Sequence, residues 1–302
     1  MASTRHPSPE ERVQGVFRDA LKLILIFILT IFRVELVFMY KRILSEIWIY
    51  PVKALGGIRL RSSRVLEKGL RHDRRWMLVD ENNVFMTQRD FPKLSLIKVS
   101  QEGESFNIVR GTNSILLPFN HFIKDSPVGT IVWDDPVTTF EVSKAHSQWF
   151  SDQLGMTCKL VSFPEENPRP VAAGYQINNE NVSLADGYPL LIIGQSSLDN
   201  LNAQLANPVP INRFRPNLVF TGGEPHEEDG WKNFMIGKDR FAGVKPCARC
   251  IVPTINQDTG EKEREPLVTL SRYRRREKEI YFGQNVLAID HNEIHEGDEI
   301  HF

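Results

Sequence analysis

Two cysteines flanking one arginine are where chemistry is most concentrated in this chain. The run Lys245-Pro246-Cys247-Ala248-Arg249-Cys250-Ile251-Val252-Pro253-Thr254 holds two of the three cysteines and continues to Gln257-Asp258-Thr259-Gly260. A thiolate is a soft metal ligand, and a neighbouring guanidinium both favours the thiolate and can hold an anion. One segment therefore offers a metal ligand and an anion clamp, the pairing expected for a metal carried on an anionic organic cofactor. Spacing alone leaves other readings open. A structural zinc site needs four ligands, and the third cysteine, Cys158, is distant in sequence. A redox dithiol of the thioredoxin type wants its CxxC at a helix start after a strand, whereas here the flanks are β-like and Pro253 follows closely. Two buried, inert cysteines are the plainest alternative.

Four cations stand beside turns at the ends of apolar runs: Lys53 after Tyr50-Pro51-Val52, Arg74 after His72-Asp73, Arg215 in Phe214-Arg215-Pro216-Asn217, and Arg249 between the cysteines. Taken singly, each reads as a solvated charge. Together, at strand ends, they could converge on a phosphate, for which arginine has bidentate geometry. The basic run Arg272–Lys278 reads either as a solvated helix face or as a dock for an acidic partner.

The elements that must position these residues are mostly short strands. The chain has 302 residues, a net charge of −1, 41% hydrophobic and 25% charged residues. That is room for two modest domains and gives no electrostatic reason to expect a nucleic-acid partner. An odd count of three cysteines argues for a reducing compartment. Residues 1–45 stand apart: a polar tail, expected to be disordered, then an apolar stretch, Leu23–Tyr40, interrupted by Arg33 and Glu35. Its length approaches the roughly 20 residues of a spanning helix, so it reads as a membrane anchor. A buried amphipathic helix is the competing reading.

Strands are expected over Ile47–Val52, Gly57–Glu67, Arg75–Val79 with Val84–Gln88 as a hairpin, Leu94–Val99, Phe106–Val109, Ser114–Pro118, Thr130–Val142 and Cys158–Phe163, with a helix over Lys144–Leu154. Pro164–Gly187 is a long polar loop, read as a crossover or a flap over a site. Beyond it, strands are expected over Tyr188–Ile193, Phe214–Thr221, Phe234–Val244, Cys250–Asn256, Ile280–Ile289 and Glu299–Phe302. Helices are expected from a Ser196 or Ser197 cap to about Leu205 and over Glu265–Arg276. The class is α+β, predominantly β, with barrels or sandwiches as the architecture.

These blocks, in their order, resemble the MOSC-domain molybdenum proteins and in particular the amidoxime-reducing component family. The matching residues are Ile49-Tyr50-Pro51-Val52-Lys53, Gly69-Leu70 with Asp73-Arg74, Thr87-Gln88-Arg89 with Pro92-Lys93-Leu94, Phe214-Arg215-Pro216-Asn217, Cys247-Ala248-Arg249-Cys250 with Asp258-Thr259-Gly260, and Phe282-Gly283-Gln284. The resemblance implies a MOSC N-terminal β-barrel domain over 46–163 and a MOSC β-barrel domain with peripheral helices over 164–302. It implies the molybdenum cofactor, with Cys250 as catalytic residue and metal ligand and Cys247 as a neighbour. Lys53, Arg74, Arg215, Asn217, Ala248 and Arg249 would hold the pterin and its phosphate. Pyridoxal phosphate binding is a further association of the family.

The activity implied is reduction of N-hydroxylated compounds such as amidoximes and hydroxylamines, with nitrite as a further substrate. A cofactor carrier without turnover would use the same binding residues. With no C-x4-C-x2-C cluster motif and no G-x-G-x-x-G fingerprint, electrons must come from outside. The resemblance names a cytochrome b5-type donor and its NADH-dependent flavin reductase, for which Arg272–Lys278 is the candidate dock. It also implies anchoring in the mitochondrial outer membrane, or else the endoplasmic reticulum, with the catalytic domain facing the cytosol. The chain departs from the family pattern at Ala54 and Ala248, where serines are usual, at Gly187-Tyr188, where a Thr-Ser pair is usual, and at Gly223, where a cysteine is usual.

Overall fold

Seven strands, six of them from the C-terminal half, close on themselves. The computed structural model describes residues 41–119, 122 and 125–302, and the apolar stretch Leu23–Tyr40 lies outside them. Going round the barrel, the order is Leu190–Gly194, Leu218–Thr221, Arg42–Ile49, Glu299–His301, Asn233–Ile236, Asp239–Ala248 and Glu279–Ala288, and the last pairs back onto the first. Closure needs backbone to approach backbone at Gly283, whose φ is +82°. A Cβ there would sit 2.7 Å from Ile193 Cγ1 and 3.0 Å from the Ile192 carbonyl, so glycine is the residue that fits. The strand Arg42–Ile49 comes from the N-terminal end of the described chain, yet it lies between two C-terminal strands.

The N-terminal half adds a four-stranded sheet, Trp76–Asp80, Cys158–Ser162, Asp135–Glu141 and Pro127–Val132, and a three-stranded meander over Lys98–Pro118. One continuous apolar core runs through both halves, taking Leu44, Ile47, Ile192, Phe220 and Val286 from the barrel and Leu78, Phe106, Phe150 and Leu160 from outside it. Burial on this scale is the main stabilising term. The helix Lys144–Leu154 forms as its sequence suggests. Ser143 accepts from the His146 amide at one end, and Gly155 at φ +69° closes the other.

Several expected elements differ, each for a local reason. Leu94–Val99 is a 3-10 turn, Pro92–Leu96, followed by a strand from Lys98, because Pro92 pre-sets a helical start. Cys250–Asn256 is likewise not a strand: Pro253 sits in a 3-10 turn over Val252–Thr254. Gly57–Glu67 is split into Ile58–Leu60 and Ser62–Leu66. Thr130–Val142 is a hairpin turning at Trp133 and Asp134, and Phe234–Val244 is a hairpin turning at Gly237. The helix after Gly194 already begins at Gln195, so Ser196 and Ser197 lie inside it and do not cap it, and the Ser197 hydroxyl donates to buried Glu228 at 2.9 Å. The expected helix over Glu265–Arg276 is shorter, Leu267–Tyr273, and the basic run beyond it turns back as a hairpin, Arg275–Arg276 against the strand from Glu279.

Candidate active site

All seven residues singled out above line a single cavity of about 490 Å³: Lys53, Arg74, Arg215, Asn217, Ala248, Arg249 and Cys250. Cys247 lines it too. They arrive from four places in the chain, and the folding around each explains why.

The strand Arg42–Ile49 runs on into Tyr50–Ala54, which is zipped to the segment 73–76. The Lys53 amide donates to the Trp76 carbonyl at 2.7 Å and the Arg74 amide to the Tyr50 carbonyl at 2.9 Å. Fully buried Asp73 ties the two together. It accepts from the Tyr50 amide at 2.7 Å and pairs with the Arg74 guanidinium. Four cavity residues that are not glycine hold left-handed backbone, Ala54 at φ +72°, Arg74 at +52°, Trp133 at +59° and Arg215 at +54°. Such conformations cost about 1 kcal/mol or more each and gather at functional sites.

The guanidiniums are braced by carbonyls and an aromatic ring. Arg215 donates to the Leu55 carbonyl at 2.7 Å, and Arg249 to that of Phe214 at 2.7 Å. The Cζ atoms of Arg215 and Arg74 lie 4.1 and 4.6 Å from the centre of the Tyr50 ring. Burial lowers Arg215 to about 10 and pushes the Tyr50 phenol well above its usual range. Asn217 is spent internally: its amide oxygen accepts from Arg74 at 3.1 Å and its amide nitrogen donates to the Trp48 carbonyl at 3.1 Å. It sets the position of Arg74 as much as it lines the wall. Arg249 reaches the Cys247 sulfur at 3.1 Å, while its buried Nε has no partner among the described residues.

Two residues at the centre of the site carried no individual role in the sequence reading. Arg89 donates to the Cys250 sulfur at 3.3 Å and to Asp186 at 3.0 Å. Asp186 in turn pairs with the Lys53 ammonium, which also donates to the Leu184 carbonyl at 2.8 Å. Desolvation works against the Asp186 charge, but Lys53 and Arg89 outweigh it and hold the carboxyl far below its usual range. Burial lowers Lys53, with Asp186 opposing. Arg89 was visible within the Thr87-Gln88-Arg89 block. Asp186 had no signal beyond adjoining Gly187-Tyr188.

The long polar loop does reach the site, and it is firmly built. Lys68, itself buried, donates to the Glu165 and Asn167 carbonyls at the start of the loop, at 2.5 and 2.6 Å. Buried Arg169 donates to the carbonyls of Ser183 and Ala185, both at 2.6 Å, and of Asp186 at 3.2 Å. The loop end at 185–188 thereby becomes cavity wall. Of the four departures from the family pattern, Ala54, Ala248 and Gly187-Tyr188 line the cavity, whereas Gly223 does not. A Cβ at Gly223 would meet the Glu227 carboxylate at 2.1 Å, with φ at +79°. Among the described residues no three His, Cys, Asp or Glu side chains converge. His291 and His295, whose spacing would suit half a zinc site, therefore do not complete one with the cysteines. In the basic run, Arg274 and Arg276 both pair with Asp229, at 2.5 and 2.6 Å, and Arg272, Arg275, Arg276 and Lys278 are exposed.

The electrostatic character of the cavity is one-sided. Six cations line it, Lys53, Arg74, Arg89, Arg215, Lys245 and Arg249, against the single carboxylate of Asp186. Such a wall suits a polyanion, and the two thiols at its edge suit a soft metal.

This is a strand-built barrel with a cationic, thiol-bearing cavity, and comparison with known proteins gives that class its family. The MOSC N-terminal beta barrel domain matches residues 41–157 and the MOSC domain residues 179–301. "Mitochondrial amidoxime-reducing component 1" of Mus musculus is 30% identical over 275 residues, which cover 85% of this chain and 81% of that protein. "Mitochondrial amidoxime reducing component 2" of Bos taurus is 32% identical over 260 residues, covering 81% and 77%. "Molybdenum cofactor sulfurase" of Oryza sativa subsp. japonica is 29% identical over 84% of this chain, but the match spans only 33% of that longer protein. The chain belongs to the amidoxime-reducing component family of MOSC-domain proteins.

Proposed function

We propose that this chain is a molybdenum-cofactor-dependent reductase of N-hydroxylated compounds, with Cys250 as the protein's metal ligand. The carrying observation is the convergence of the Cys250 thiol with six cations and one carboxylate on one cavity. The protein alone gathers no complete ligand set among its described residues, so a metal here would be carried in by an organic anion. The donor chemistry fits: soft sulfur for the metal, guanidiniums for a phosphate, and an unpartnered buried Arg249 Nε for a further acceptor.

Bound there, the cofactor would supply the two-electron centre at which an N–OH bond is reduced to N–H with release of water. The protein's part is to hold and orient it. Arg74, Arg215 and Arg249 would neutralise the phosphate, with Asn217 fixing Arg74 and the Ala248 backbone completing the wall. Lys53 would act through Asp186, with which it is paired. Arg89 would steady the Cys250 sulfur, a neighbour interaction that tunes a metal site. Pyridoxal phosphate has less behind it: of the two lysines lining the cavity, Lys53 and Lys245, the Lys53 amine is already taken up by Asp186 and the Leu184 carbonyl.

Electrons would arrive from a cytochrome b5-type carrier served by an NADH-dependent flavin reductase, docking at Arg272, Arg275 and Lys278. Relatives named as mitochondrial support a mitochondrial location. Attachment to the outer membrane through Leu23–Tyr40, with the cavity facing the cytosol, completes the proposal. No helix among the described residues is long and apolar enough to cross a membrane. The test is elemental analysis of purified full-length protein together with turnover of benzamidoxime by the reconstituted donor chain. Stoichiometric molybdenum with turnover supports the reading. Stoichiometric molybdenum with no turnover on any donor would make the chain a cofactor carrier, and absence of molybdenum would end both ideas.

A further inference from the structure

The cationic cavity is not the only hollow at this site. Its rim residue Trp133 also walls a second one, of about 620 Å³, whose apolar lining of Val84, Phe85, Ile131, Pro136 and Val137 is bordered by the neutral polar side chains of Asn82, Asn83, Thr130 and Thr138. No charged side chain lines this groove. Val84, Ile131 and Trp133 are large apolar residues left 54%, 57% and 46% exposed. They are neighbours: Val84 bridges to Ile131, and Phe85 lies edge-on to Trp133 with ring centres 5.6 Å apart. Exposed apolar residues scattered singly need no explanation, but a cluster at the mouth of a binding cavity does.

The backbone gives a second, independent sign. Trp133 is the first residue of the two-residue turn joining Pro127–Val132 to Asp135–Glu141, and its φ is +59°. Glycine is the usual occupant of such a position, and a bulky residue there is strained. The strain holds an indole at the rim. Trp133 is also only one side chain away from the chemistry, because the Arg89 guanidinium lies 4.5 Å from the Trp133 ring centre and 3.3 Å from the Cys250 sulfur.

We infer that this groove is the subsite for the apolar body of the substrate. The preferred substrates are then N-hydroxylated compounds bearing an extended aromatic or aliphatic portion, rather than a small polar one such as hydroxylamine. The N-hydroxyl head lies near Cys250 and Arg89, the body crosses the Trp133 ring, and the tail lies between Val84 and Ile131. The identity of the head group rests on the reductase reading above. The apolar subsite rests on the groove.

A series of para-alkyl benzamidoximes, from unsubstituted to hexyl, tests this with the holoenzyme. Wild-type kcat/KM should rise about twofold per methylene, as expected for partial burial of each group. That slope should flatten in Ile131→Asp and equally in Val84→Asp, which places the charge on a second residue of the groove. A flat wild-type series, or equal slopes in wild type and both variants, overturns the inference. A readout without turnover uses the corresponding alkyl benzamidines and tryptophan fluorescence. Affinity should rise with chain length, and the signal should vanish in Trp133→Phe. If no amidoxime is reduced at all, the reductase reading fails, and the fluorescence series still decides the groove. Chain-length-independent binding overturns it. If Ile131→Asp lowers binding to phospholipid vesicles and leaves the slope unchanged, the groove is a lipid contact and the inference is wrong.

Discussion

The two ends of the site are built in opposite ways. At the cationic end nearly every charged group is fixed by something behind it: Arg215 by the Leu55 carbonyl, Arg74 by Asp73 and Asn217, Lys53 by Asp186, and the Asp186 loop by Arg169. Like charges are gathered there at an energetic cost that an anion would relieve. At the apolar end, Val84, Ile131 and Trp133 sit exposed, held by a backbone bridge and ring contacts and by no ion pair of their own. The contrast separates tasks. On the proposed reading, a cofactor that must sit in one place needs preorganised hydrogen bonds, whereas varied substrates need only apolar area and tolerance.

The largest effect should come from the end proposed to hold the metal. Cys250→Ser is expected to lower both molybdenum content and turnover by more than roughly tenfold, the least expected for loss of a ligand, read by elemental analysis and steady-state assay. Cys247→Ser should keep both within about twofold if Cys247 is only a neighbour. Arg89→Gln touches both ends. It should lower turnover by about tenfold and change the Trp133 fluorescence, and an unchanged enzyme would disconnect the two regions.

Stability separates them next. Arg169→Met leaves three carbonyls of the loop without their donor and should cost about 3 kcal/mol in urea denaturation. Ile131→Asp, on an exposed position, should stay within about 0.5 kcal/mol. Similar losses for the two would erase the distinction between a braced and an unbraced end.

The smallest effect is a pH dependence that contrasts two carboxyls. Asp186 has cations and is held ionised, so its contribution is present above the ordinary carboxylate range and fades as pH falls below it. Asp186→Asn should soften acid destabilisation. Glu228 is fully buried and accepts from Ser197 and the Gly194 amide with no cation at hand, and burial raises it from 4.5 to about 7. The fold therefore favours its neutral form. Stability from this group is full below about pH 4.5 and is lost as pH rises through about 7. Glu228→Gln should flatten the stability profile between those values, read as thermal midpoints across the range. An unchanged slope would show that Glu228 titrates as an exposed carboxyl does.

Much of the barrel was legible from local pattern. Alternating short runs gave most strands, and the helix expected over Lys144–Leu154 has those bounds in the structure. The misreadings fall at prolines and tight turns: Pro92, Pro253, the Trp133 hairpin and the segment after Tyr273. There one residue's backbone angle decides the path, and an average over neighbours conceals it. The site was legible where its residues sit in compact blocks, as at Cys247–Cys250 and Phe214–Asn217. Asp186 was not, because its place depends on Arg169, 17 residues earlier, gripping the loop from inside.

By itself the sequence determined the chemical kinds present: two thiols with an arginine between them, cations at strand ends, and glycine where the barrel must close. These are properties of residue type and short spacing, and they do not require a partner to be found. Only the tertiary structure decided that Lys53, Arg89 and Asp186 form one charged chain ending at Cys250, and that an apolar groove opens beside it. Those contacts join positions up to 161 residues apart, and such distances are set by core packing and barrel closure, which no local pattern carries.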